Sequence, residues 1–115
     1  MDFHRAIEIL NEYGFELVDI CKWYAPICWN NAICFWIDSA IDITTSKPTR
    51  TIHHVSAFKK AKTRSLNDFD PSLIGSFDIE QTNENYLREQ CEKVLVKAKK
   101  WFEQDQINMA RRDFV

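Results

Sequence analysis

Four cysteines (Cys21, Cys28, Cys34, Cys91) and three histidines (His4, His53, His54) are the side chains in this 115-residue sequence best suited to nucleophilic or metal chemistry. The cysteines are separated by six, five and fifty-six residues. No Cys-x2-Cys pair exists, so the zinc-ribbon and thioredoxin signatures are absent. His53 and His54 are adjacent. On an extended strand neighbouring side chains point to opposite faces, so the two rings cannot share one metal. His4 stands apart near the N-terminus, and no His-x-His or His-x3-His spacing occurs. Sequence does not show whether any cysteine lies beside a histidine. Asp68 and Asp70, with Asp78 and Glu80, lack the spaced oxygen ligands and central glycine of a calcium loop and read as a solvated stretch. Two glycines are too few for a phosphate-binding loop, a dinucleotide fingerprint or a nucleophile elbow. The expectation is a chain that is not an enzyme, with no catalytic residue, no cofactor and no metal.

A different chemistry is concentrated in residues 21–36, CKWYAPICWNNAICFW. This segment holds Trp23, Trp29 and Trp36 with Tyr24, Phe35 and three of the cysteines, and Lys22 is its only charge. Strand parity places Cys34 and Trp36 on one face and Ile33, Phe35 and Ile37 on the other, while Trp23 opposes Tyr24. Both faces therefore carry apolar bulk. Exposed Trp and Tyr commonly anchor protein interfaces. Trp23, Tyr24, Trp29 and Trp36 are the expected partner-binding anchors, with Asp38 and Asp42 as rim acids that speed encounter with a basic partner. The alternative is an aromatic core whose second face is covered.

The elements that must position these residues follow from periodicity. The stripe Phe3, Ala6, Ile7, Leu10, Tyr13 is that of an amphipathic helix over 2–13, with Gly14 at a left-handed C-terminal cap. Residues 15–24 are rich in strand formers, and the run must break at Ala25-Pro26 or at Asn30-Asn31, which suits a hairpin turn. Strands are expected over 32–44, 50–60 and 73–80, with loops at 44–50 and 62–72. Gly75 hints at a bulge or an edge. From Thr82 the apolar period becomes helical and runs to about residue 104, or on to Met109. Thr82 or Asn83 serves as cap, and Glu89 and Lys93 form an i,i+4 pair. The reading is α+β: a two-layer sandwich in the order α-β-β-β-β-α, with a four-stranded antiparallel sheet. One helical layer covers one sheet face and leaves the other open.

Length argues for a single domain, 1–115, and apolar content of 45% is that of a globular chain. No uncharged run approaches the roughly 18 residues of a membrane span, and the N-terminal stretch has no signal-peptide pattern. A cytoplasmic protein with buried thiols is expected.

Charge is segregated. Residues 1–46 hold two basic and seven acidic groups, and residues 65–115 hold seven and ten. Between them Lys47, Arg50, Lys59, Lys60, Lys62 and Arg64 form a stretch without an acid. The best functional reading is a small non-catalytic protein-binding module, an inhibitor acting by steric occlusion of a toxin, nuclease or defence complex. Motif-free, mildly acidic α+β chains of this size include bacterial toxin-immunity proteins and phage-encoded anti-CRISPR proteins, an analogy of class alone. The rival is a nucleic-acid binder using the six cations of 47–64, although the whole chain is acidic at a net charge of −2. A homodimer that pairs its open sheet face is a third arrangement. No membrane partner is expected.

Overall fold

The computed structural model describes residues 1–18, 24–41, 43–60 and 73–113, with the side chains of Tyr24, Arg112 and Asp113 left aside. The described elements are α1 (Phe3–Glu12), β1 (Glu16–Leu17), β2 (Tyr24–Trp29), β3 (Ala32–Ile41), β4 (Pro48–Lys60), β5 (Leu73–Asp78), a 3-10 turn (Ile79–Gln81) and α2 (Glu84–Asp113). The fold class is α+β, as the patterning implies. The sheet is antiparallel and has five strands in the order β1-β2-β3-β4-β5, one more than expected. The extra strand arises because the strand-forming run 15–24 is not one strand. Among the described residues its start pairs over Glu16 and Leu17, with Val18 N–H bonded to Pro26 C=O, and it lies antiparallel to a second strand, Tyr24–Trp29. Alternation cannot reveal such a break, because residues on both sides favour extended backbone.

Local chemistry sets the helix ends. The Asp2 carboxylate accepts from the His4 backbone N–H at 3.0 Å and caps α1. At the other end Phe15 N–H bonds Leu10 C=O and Gly14 N–H bonds Asn11 C=O, both at 3.0 Å. This is the paired closure of a Schellman cap, and Gly14 supplies its left-handed residue at φ +85°. A Cβ on Gly14 would also stand 3.3 Å from the Trp29 indole. In α2 the Asn83 side chain accepts from the Tyr86 N–H at 2.8 Å, and Lys93 pairs with Glu89 at 2.9 Å. No helix among the described residues is long and apolar enough to cross a membrane.

Between β2 and β3, Asn30 and Asn31 adopt φ of 50° and 64°, the pair of positive values that a two-residue hairpin turn of matching twist requires. Both helices share one core with one sheet face. Ala6, Ile9 and Leu10 of α1 and Leu87, Cys91, Val94 and Ala98 of α2 bury against Ala25, Ile27, Phe35, Ile37 and Ile52. Phe15 meets Phe35 edge to face at 5.3 Å. Burial pushes the thiols of Cys34 and Cys91 up to about 12, so both are neutral, unreactive core groups.

His54 belongs to the same layer. Its ring lies between Phe35 at 5.4 Å and Phe77 at 5.9 Å. Burial and then the Lys97 ammonium lower its pKa from 6.5, against a hydrogen bond with Gln90 that raises it. The unfolded chain therefore takes up this proton more readily. The neutral ring's contribution is fully present above the unfolded pKa and is lost as pH falls through the depressed folded value.

Two outcomes are expected. Gly14→Ala lowers unfolding free energy by about 1–2 kcal/mol in urea titration, since the new Cβ meets both left-handed backbone and the Trp29 indole. In the wild type, stability falls as pH drops below about 7 and continues to fall through the depressed His54 value, and His54→Phe flattens that slope. An unchanged slope in the variant would assign the acid sensitivity to other groups.

Candidate functional site

β3 and β4 pair in the longest ladder of the sheet, and they hold Cys34, Trp36 and Asp38 on one strand and His53 and His54 on the other. The register shifts between Ile33 and Phe35. This bulge at Cys34 breaks the simple alternation. Cys34 joins Phe35 and Ile37 in the core under the helices, whereas Ile33 clusters with Cys28 and Val55 away from it. Parity alone put Cys34 with Trp36 and Ile33 with Phe35. One inserted residue reverses both assignments.

Trp29 points into the helical layer and meets Phe102 edge to face at 5.9 Å. Trp36 does face away from the helices, opposite Pro26 and His53, but it is only 6% exposed. Pro26, Cys28, Ile33 and Val55 on that face are buried too. The far face is therefore not the open apolar surface expected of a two-layer sandwich. Tyr24 stands opposite Asp38 in the ladder, and Trp23 and Asp42 lie outside the described residues. Of the expected anchors the structure places two, Trp29 toward the helices and Trp36 on the opposite face, so these two do not share a patch.

What β3 and β4 do present on the far face is polar. The Trp36 indole N–H donates to Asp38 Oδ1 at 3.0 Å, and Asp38 Oδ2 meets His53 Nε2 at 2.7 Å. Beside them Thr51 donates to Asp78 at 2.9 Å. A carboxylate that orients an imidazole is two thirds of a nucleophilic relay. Among the described residues no hydroxyl or thiol is hydrogen-bonded to that imidazole, and no three His, Cys, Asp or Glu side chains are grouped to hold a metal. The cluster fixes the indole against the sheet and ties β3 to β4.

The basic stretch is dispersed rather than gathered. Lys47 and Lys60 sit at opposite ends of β4, which at about 3.3 Å per residue separates them by roughly 40 Å. Arg50 stacks over the Phe3 ring at 4.2 Å and pairs with Glu80 at 3.7 Å. The Lys60 ammonium pairs with Asp105 at 2.8 Å, under the end of α2. Lys59 follows the strand alternation to the opposite face. Lys62 and Arg64 lie outside the described residues.

The exposed apolar chemistry is elsewhere. Among the described residues, the last pair of β2 with β3 is Tyr24–Asp38, and the last of β5 with β4 is Thr51–Asp78. β3 and β4 continue together to Ile41–Pro48. Residues 39–50 therefore form a two-stranded arm that pairs with no other strand among the described residues. Near its tip Ile41 is 57% exposed and Ile43 is 95% exposed, next to Thr44, Thr45, Ser46 and Lys47. The sequence carried a signal for this: two isoleucines in IDITTSKP, the only large apolar side chains in a polar hairpin end. Comparison with known proteins finds no matching family, no matching curated protein and no matching solved structure.

Burial reverses the meaning of a standard interface test. Trp36→Ala should cost about 3–5 kcal/mol of unfolding free energy as a core truncation. Trp36→Phe should lose less, about 1–2 kcal/mol with the indole hydrogen bond to Asp38. Chemical denaturation of both variants checks this, and a Trp36→Ala protein as stable as wild type would place the indole at the surface.

Proposed function

We propose that this chain is a small non-catalytic module that binds another protein and blocks it sterically, and that the β3–β4 arm is the part that enters the partner. The observation that carries this reading is Ile43, 95% exposed at the end of a strand pair that extends past every other strand among the described residues. A β-branched aliphatic held in water on a protruding, hydrogen-bonded arm has no role in this chain's core. On a partner it offers a compact apolar anchor at low ordering cost, because the arm is already a hairpin. Asp38 at the base of the arm supplies acid, and Lys47 supplies a cation just before the returning strand. The aromatic segment then serves as the rigid base from which the arm projects, with Trp29 and Trp36 as supports rather than contacts.

The partner class follows from the analogy with small inhibitors: a toxin, nuclease or defence complex met in the cytoplasm, with a cleft wide enough for a hairpin. Binding of nucleic acid by the 47–64 stretch has less support, since Arg50 and Lys60 are each engaged by an acidic side chain of the same chain.

A photo-crosslinking residue at position 43 should capture one protein from the native host, and the same residue at Val96, exposed on α2, should not. With that protein purified, Ile43→Asp should weaken binding at least tenfold, about 1.4 kcal/mol, with the circular dichroism spectrum unchanged. Equal capture from both positions, or affinity indifferent to Ile43→Asp, would overturn the reading.

A further inference from the structure

The two edges of the sheet are unlike. β1 offers two residues, too short to template another strand, whereas β5 offers six. Leu73, Ile74, Gly75 and Ser76 are all exposed, Ile74 at 69%. Among the described residues β5 pairs on one side only, with β4, and the exposure of Leu73–Ser76 leaves its other edge toward solvent. Folded proteins commonly guard such edges with lysine, proline or inward charge. β5 has no lysine, arginine or proline. Its one charge, Asp78, is at the end and accepts a hydrogen bond from Thr51 of β4. The register shift beside Val55 turns Ile74 outward and does not cover it.

Gly75 is a second, independent observation. Its φ is not positive, and a Cβ there would find nothing nearer than the His54 ring at 4.0 Å. Neither backbone conformation nor crowding among the described residues requires glycine. A strand glycine of this kind suits close approach by another backbone or ring.

We infer that two copies of this chain join through β5, antiparallel about a two-fold axis, into one continuous sheet. An outward edge of N–H and C=O groups selects an extended strand as its occupant. The uncharged run Leu73–Phe77 selects a strand of like chemistry. β5 itself meets both conditions, and β4 already holds it extended, so pairing carries little ordering cost. A two-fold axis perpendicular to the sheet sets a residue against its own copy. Centred on Ser76, the pairing sets Phe77 across from Gly75 of the second copy, where the missing side chain leaves room for the ring. It also holds the two Asp78 carboxylates four residues apart, about 13 Å, beyond the screening length of about 8 Å at physiological salt. Parallel pairing would set them side by side. The phenol of Tyr86, exposed beside Phe77 at 5.3 Å, then lies over the junction on the helix side. The arm begins at Arg50, one residue beyond the Thr51–Asp78 pair, and is built on β3 and β4 rather than on β5, so the assembly carries two arms.

Sedimentation equilibrium across a wide concentration series should show the 13.6 kDa chain passing to a species of about 27 kDa. Ile74→Lys, at an exposed position, should abolish the larger species with helix content unchanged. Ser76→Cys under mild oxidation should form a disulfide-linked dimer that the wild type, treated alike, does not, because paired positions at the axis fall within disulfide range. A monomer at every concentration, a dimer indifferent to Ile74→Lys, or a dimer in which Ser76→Cys does not crosslink would each overturn the pairing.

Discussion

β3 is the strand on which the rest of the structure depends, because it is buried on both faces at once. Every residue from Ala32 to Ile37 is buried, and the strand is hydrogen-bonded to a neighbour on each side. A strand in that position has no solvent-facing row to fill with polar groups, so it reads as a continuous apolar run. The concentration of large residues around position 30 follows from this. Phe35 and Ile37 meet the helices, Ile33 and Trp36 fill the opposite side, and the bulge at Cys34 lets an extra side chain enter the core without breaking the ladder.

The helical layer is oriented by the same constraint. α1 leaves the sheet edge through the Gly14 cap, and that cap lies directly against the Trp29 indole, so the hairpin turn of the sheet and the end of the helix are fitted together. Ion pairs then tie the two helices to each other at their rims: Arg5 with Glu84 and Arg88 with Glu12, each at 2.6 Å. These pairs are well exposed, screened by water and salt, and contribute little to stability. Their part is to favour one alignment of α1 along α2 over its neighbours. The apolar face beneath supplies the cohesion.

Much of this was legible in the amino-acid sequence, and the exceptions have physical causes. Helices with one apolar stripe, the Asn30-Asn31 turn, the Gly14 cap and the Glu89–Lys93 pair all rest on interactions within a few residues, where periodicity and turn chemistry are informative. The five-strand count was not legible, since the interruption between Leu17 and Tyr24 falls within a run of strand formers. Nor was the orientation of Cys34, because a bulge shifts parity without any glycine or proline to mark it. The candidate interface suffered most. Sequence shows that a tryptophan is large and apolar, but whether it is an anchor or a core residue depends on tertiary cover, and Trp29 meets Phe102 from a helix more than 70 residues away. Ile43 went unremarked for the opposite reason: a single isoleucine in a polar loop has no weight until the loop is seen to project.

The central claim is that the aromatic segment is the rigid core and that the arm built on it is the free surface. Native-state hydrogen exchange resolved by residue tests this most directly. The account predicts that amides of Ala32–Ile37 exchange only with global unfolding, while those of residues 39–50 exchange many-fold faster through local opening. Fast exchange across Ala32–Ile37, with protection no greater than that of the arm, would contradict it.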